Sequence, residues 1–304
     1  MSPQIQGILC MIGACSIWGL SPIYYKLLVE VPPLELLAHR TIWSFVTFAG
    51  ILAAQRRLGR LRLALGNSRS VAIVALAAMT ISVNWFLFIF SVQSDHVVEA
   101  SLGYYMFPLV AVLLATVVLK ERLAPLQWLA VGLAALAVTQ LTLGLGVAPW
   151  ISLVIALTFG LYGLVKKRLT VGAMTSVTAE VLVLTPLGLG WLVHVHWNGG
   201  GVFGADIGLS ALLLFSGVLT ALPLILFSAA AQRVNMATLG LLQYLNPTLQ
   251  FFCAVVLFGE PLNTFQLVAF ALIWIALALY SFQSLSQERA RRRSAMVSRA
   301  EPPL

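Results

Sequence analysis

Charge is what this sequence has least of. Only 9% of its 304 residues are Asp, Glu, Lys or Arg, against about 25% in ordinary soluble domains. So few charges cannot cover a water-facing surface, which excludes a soluble enzyme. Cysteine is almost missing too. Cys10, Cys15 and Cys253 all sit inside apolar runs, without metal-ligand spacing or a disulfide framework. The opening MSPQ has no Lys or Arg, so it lacks the basic start of a cleaved signal peptide, and the first apolar run is expected to remain as a helix. No G-x-x-x-x-G-K-[ST] loop is present, which argues against ATP-driven pumping by this chain. Neither H-E-x-x-H nor G-x-S-x-G occurs, and no cofactor is expected.

What the chain does have is apolar length. Hydrophobic residues make up 60% of it and the mean hydropathy is +0.96. A membrane span takes about 20 apolar residues and a connection a few more, so the length holds about ten spans. Apolar runs place them near residues 5–27, 34–55, 71–93, 97–119, 124–143, 147–165, 176–195, 207–231, 234–258 and 263–283. The fold class expected is an all-α polytopic membrane protein.

The positive charge tests this count. The net charge is +8, which could suggest nucleic acid, but the basic residues lie in alternate connections. Sixteen of the 18 Lys and Arg fall in 56–70, 120–123, 166–170, 232–233 and the tail. The opposite connections hold none, and Lys26 and Arg40 lie within spans. By the positive-inside rule the chain is multi-pass in a cytoplasmic membrane, with both termini cytoplasmic. Membrane lipids are its surroundings and nucleic acid is not a partner. The segment 56–70 is either a short interfacial helix or a plain loop. The basic tail, 284–304, reads as a stop-transfer flank in preference to a lipid-binding site.

The two halves echo each other. Ala100-Ser101-Leu102-Gly103 in the fourth span answers Ala237-Thr238-Leu239-Gly240 in the ninth. Pro108 and Pro247 are each followed 13 positions later by Glu121 and Glu260, with Leu123 and Leu262 two residues on. Trp18-Gly19 answers Phe159-Gly160, and Lys26 and Lys167 each follow their glycine by seven. One mismatch remains: glycine to proline is five residues in the first copy and seven in the second. A helix irregularity near one proline would absorb it. The expected organisation is a five-helix repeat at 1–146, a second at 147–283 and the tail. An odd number of spans inverts the second copy, and inverted repeats characterise secondary transporters with a site near the midplane. Pro108 and Pro247 are candidate helix breaks; a packing kink is the alternative for each.

Within the spans, polar residues concentrate in the second. A charge in the hydrocarbon costs about 2.5–3.5 kcal/mol and needs a partner or a cavity. Arg40 lies on the order of 9 Å inside the outer edge at 1.5 Å per residue. Glu35, His39 and Trp43 share a face at four-residue steps, overlapped by a stripe through Arg40, Trp43, Ser44 and Thr47. At similar depth are Asn84, Trp85, Glu99, Ser101, Tyr104 and Tyr105, and Trp18 of the first span is a further candidate or an interfacial belt residue. From the inner half come Glu180, Gln243, Tyr244 and Asn246. These are the candidate lining of a path for a small-molecule solute, with Arg40 anchoring a carboxylate or phosphate. The alternative is a buried ion pair that locks packing, with Glu99 as a partner of suitable depth. Glu35 and His39 are candidate proton-coupling groups, or His39 is a packing histidine. His194, His196 and Asp206 read as interfacial in preference to a metal site.

Several stretches resemble a known family: IWGLSPIYYK at 17–26, ELLAHRTIWS at 35–44, NWFLFIFSV at 84–92, EASLGYYMFPL at 99–109 and LGLLQYLNPTL at 239–249. They are similar to the RarD proteins of the EamA group, within the drug/metabolite transporter superfamily. The resemblance runs from about residue 5 to 283. It implies ten helices in two inverted repeats and secondary transport across the bacterial inner membrane, with the first four helices of each repeat around the path. RarD members are labelled chloramphenicol-sensitivity proteins or permeases, and their wider relatives export amino acids and other metabolites. The expected function is therefore a permease exporting a small metabolite, an amino acid or related anion or a drug, as a monomer or homodimer. A passive channel is the alternative, and a lipid-modifying enzyme using Glu35 and His39 a more distant one.

Overall fold

In the computed structural model, residues 3–119, 124–145, 149–166, 172–231, 233 and 242–300 are described. Nearly all of them are helical. A chain in hydrocarbon must satisfy its backbone polar groups within itself, and an apolar helix does so. The helices are α1 (Pro3–Lys26), α2 (Pro33–Ala54), α3 (Gly59–Ala64), α4 (Ser68–Gln93), α5 (Val97–Leu119), α6 (Pro125–Leu145), α7 (Trp150–Lys166), α8 (Ala173–Trp197), α9 (Ile207–Ala231), α10 (Leu245–Phe252) and α11 (Thr264–Ala300). A π-helical turn, Cys253–Leu257, extends α10.

Seven helices are long and apolar enough to cross a membrane outright: α1, α2, α4, α6, α8, α9 and the 264–283 part of α11. The 23-residue α5, the 17-residue α7 and the Leu245–Leu257 segment supply the other three spans. Each described span starts within three residues of its expected position. The start of the ninth lies outside the described residues, as do Glu121, Leu123, Lys167 and Ala237–Gly240. Of the two readings of 56–70, the short helix α3 is present. Its end buries Ala64 against Val74 and Ala179. Past residue 283, α11 continues as helix to Ala300.

The packing joins helices of the first and second halves of the chain. α1 lies against α9 and α10, and its counterpart α7 lies against α4 and α5. The α2–α9 contact is answered by α8–α4, while α2–α8, α5–α10 and α6–α11 each join a helix to its own counterpart. Most of the tight packing thus runs between the halves. Glycine permits three of these approaches, as small residues do in membrane bundles. A Cβ on Gly19 would sit 2.6 Å from Leu249 Cβ, one on Gly103 2.8 Å from the Ser152 carbonyl oxygen, and one on Gly217 2.3 Å from that of Trp43.

The two candidate breaks differ. α5 stays helical through Pro108, correcting the expectation there. Proline removes one backbone hydrogen bond, and neighbouring groups in a bundle can tolerate that loss. In the ninth span the helix is interrupted at Tyr244, three residues before Pro247, and begins again at Leu245. The interruption falls between Gly240 and Pro247, where the second copy has its two extra residues.

Candidate functional site

α2 presents two polar faces to different neighbours. Arg40, 7% exposed, points towards α1, α4 and α9. Its Nε donates to Thr220 Oγ1 at 3.0 Å. Its guanidinium lies 4.2 Å from the Trp85 ring centroid and 5.8 Å from that of Tyr25. Among the described residues no carboxylate comes within 4.0 Å of it. Aromatic faces and a hydroxyl therefore hold a cation that hydrocarbon would otherwise expel. They leave its capacity for a forked pair with an anion without a carboxylate partner.

The other face carries Glu35, His39 and Trp43. Glu35 is fully buried, and its Oε1 accepts the Val202 N–H at 2.9 Å and stands 4.0 Å from His39 Nε2. The His39 ring stacks on Phe203 with centroids 4.9 Å apart, and Trp43 lies 6.0 Å from the same ring. Glu35 Oε2, both His39 ring nitrogens and Trp43 Nε1 are buried without a hydrogen-bond partner, and so is Ser44 Oγ. Buried polar groups normally find partners. This cluster is the largest exception here.

An aromatic column links the Arg40 neighbourhood to the inner half. Tyr25 meets Phe88 at 5.7 Å between centroids, Phe88 meets Tyr104 at 5.8 Å, Tyr104 meets Phe159 at 5.8 Å, and Phe159 meets Tyr162 at 6.2 Å. The Tyr162 hydroxyl donates to Glu180 at 2.9 Å, and Ser176 donates to the same carboxylate. Asn84 belongs to this column as a tie. Its amide donates to the Ile155 carbonyl at 3.0 Å and to Thr158 at 3.1 Å, and its oxygen accepts from the Tyr104 hydroxyl at 3.0 Å.

The fourth and ninth spans meet at the helix interruption. The Ser101 hydroxyl donates to the Pro247 carbonyl at 2.9 Å, and Tyr105 shares a 2.7 Å hydrogen bond with Thr248. Gln250 donates to Asn246, leaving Gln250 Oε1 buried without a partner. Gln243 and Tyr244 are half-buried at the interruption itself. Trp18 lies away from Arg40, its ring 6.0 Å from Phe227.

Glu99 is not within 4.0 Å of Arg40, the pairing weighed as the alternative. It lines a separate cavity of about 310 Å³ with Phe90, His96, Trp150 and Gln266. Arg40 and Glu99 share a depth but lie on different sides of the bundle. Glu260 has a role its sequence did not announce: its two oxygens accept the Val97 and Val98 N–H groups, each at 2.9 Å. A carboxylate there neutralises the positive end of α5. Lys26 pairs with Asp95, and Gln93 donates to the Leu28 and Val31 carbonyls at 2.7 and 2.9 Å. All these ties lie at the face away from the basic connections and join helix ends there.

Tyr25, Thr220, Phe203 and Gln250 join the site without having been singled out in the sequence. Only Phe203 carried a local signal, as an apolar residue inside a run of glycines. His196 makes contacts to the Leu192 and Phe203 carbonyls at 2.9 and 3.2 Å. No group of three metal-ligating side chains occurs among the described residues.

The chain matches the model of the EamA-like transporter family twice, over residues 5–143 and 147–282. It is 44% identical to Protein RarD of Streptomyces exfoliatus over 300 residues, covering 98% of this chain and 95% of that one. An uncharacterized transporter, PA0485 of Pseudomonas aeruginosa, is 42% identical, covering 92% and 94%. Protein RarD of Escherichia coli is 38% identical, covering 93% and 96%. A protein of known crystal structure aligns with a TM-score of 0.60 at 19% identity, covering 90% of this chain and 96% of that one, a likeness of fold.

Proposed function

We propose, from the premise that this chain belongs to the EamA-like transporter family, that it is a secondary transporter for a small anionic or zwitterionic metabolite. Family membership makes it a membrane transporter and not an enzyme. The finer reading has Arg40 as the anchor for a carboxylate or phosphate on the solute. The observation that carries it is a buried arginine between helices of both halves, held by rings and one hydroxyl, with no carboxylate within 4.0 Å among the described residues.

The neighbouring geometry supports alternating access. A single interrupted helix crosses its counterpart at the repeat interface, where such carriers bind and rock. The column from Tyr25 to Tyr162 gives an amphipathic wall along which a solute could pass. We read the direction as export across the bacterial inner membrane, with protons as the candidate coupling ion through Glu35 and His39.

Cells overproducing the wild type or Arg40→Ala, matched for membrane insertion, are compared by untargeted mass spectrometry of medium and cytosol. A metabolite enriched outside only with the wild type supports export and names the substrate. Depletion from the medium reverses the direction, and identical metabolite profiles refute the Arg40 anchor. Counterflow of that metabolite in vesicles separates a carrier from a channel.

A further inference from the structure

Groups on α2 without a hydrogen-bond partner lie under the loop between α8 and α9, and four of that loop's nine residues are glycine. Residues 198–206 read Asn-Gly-Gly-Gly-Val-Phe-Gly-Ala-Asp. Two of the glycines adopt left-handed backbone, Gly199 with φ 73° and Gly204 with φ 89°, and no atom crowds either position. They bracket the residues that reach α2. Val202 gives its N–H to Glu35, and Phe203 lays its ring over His39 and beside Trp43. Only these two of the nine residues are hydrophobic and large. Within the loop the Gly204 N–H donates to Ser210 and the Ala205 N–H to the Val202 carbonyl, while the reach to α2 is made by the Glu35 hydrogen bond and the Phe203 ring, with His196 at the Phe203 carbonyl.

Beneath the ring the α2 face is polar, and several of its atoms lack hydrogen-bond partners. Glu35 Oε2, His39 Nδ1 and Nε2 and Trp43 Nε1 have no hydrogen-bond partner, and a buried polar group left without one carries a desolvation cost. Displacing Phe203 would let water or a polar solute reach all four atoms, so their solvation favours opening while apolar contact with the ring favours closure. Two opposed contributions on one hinged segment make a two-position element.

We propose that residues 198–206 form the outer gate of the transport path, with Phe203 as the plug, Glu35 as the latch that positions it, and the His39–Trp43 face as the polar vestibule that it occludes. The inference rests on the transport reading above.

The test uses the full chain in intact cells, with Cys10, Cys15 and Cys253 replaced by serine and His39→Cys as a reporter. A membrane-impermeant methanethiosulfonate is added outside. Because a minor open state is populated at roughly 0.1–10%, removing the plug by Phe203→Ala should raise the labelling rate about tenfold or more. Glu35→Ala should raise it as well, and Phe203→Leu, which keeps most of the apolar contact, should raise it far less. Equal rates in all backgrounds overturn the gate. Labelling confined to inverted vesicles also overturns it, by placing the loop on the other side.

A second arm separates the gate from the transport reading. A short bifunctional methanethiosulfonate, from which each cysteine thiolate displaces one methanesulfinate, bridges His39→Cys to Phe203→Cys and should abolish, in proportion to the bridged fraction, the solute flux that the same variant carries unbridged. If labelling behaves as expected and bridged protein still carries solute at the full rate, the loop moves but does not gate that path, and the proposal fails while transport stands. If no solute is moved by any variant or by the wild type, the labelling arm still decides whether the loop opens, and the transport reading is what fails.

Discussion

Arg40 and Asn84 show how differently two buried polar residues can be used. Asn84 has its amide and its carbonyl engaged by α7 and α5, so its value is structural. Replacing it with leucine strands the Tyr104 hydroxyl, costing about 1–3 kcal/mol. Thermal unfolding in detergent should fall accordingly. Tyr104→Phe should cost less, and the two changes should couple in a double-mutant cycle. Among the described residues Arg40 has no carboxylate within 4.0 Å, so Arg40→Ala should abolish flux with insertion intact. Arg40→Lys should recover little of it, because an ammonium neither forks onto a carboxylate nor stacks on Trp85 as a guanidinium does. If Arg40→Ala instead prevents insertion, the residue serves packing. The sequence revealed that both residues are embedded, since a polar side chain in an apolar run is conspicuous. It could not reveal their partners. Depth along a helix follows from counting residues, whereas direction around the bundle depends on which helices become neighbours. Glu99 matched Arg40 in depth and still faces a different cavity.

At the scale of elements, the spans were legible because lipid imposes one length and one secondary structure. The carboxylate of Glu260 was visible in the sequence only as a repeat marker. Its use is to close the exposed N–H groups at the start of α5. Glu260→Gln leaves one good acceptor for two donors and removes the charge, a loss of about 1–2 kcal/mol. We expect a lower unfolding temperature, with amide exchange rising first at Val97 and Val98. A uniform rise along α5 would contradict a capping role. The helix interruption was half legible. Unequal glycine-to-proline spacing required an irregularity in one copy, and Tyr244 is where it occurs. That Pro108 would leave α5 unbroken could not be read from a proline alone.

Contacts between the two halves of the chain govern the whole molecule. Because α2 packs on α8 and α9, and α6 on α11, each half lacks the surfaces that its helices bury. Residues 1–146 or 147–304 produced alone should be degraded, and the two produced together should copurify and be resistant to protease. Survival of either half by itself would show independent folding. The interruption at Tyr244 has a kinetic consequence at this scale. A carrier made of two identical inverted halves would look the same from either side of the membrane, and its two half-cycles would run at equal speed. With two extra residues in one copy, that equality is gone. Without an ion gradient or voltage, the ratio Vmax/KM must still be the same in both directions, since a catalyst cannot move an equilibrium. The separate KM values are free to differ, and solute offered from each face in turn should reveal a protein with a fast side and a slow one.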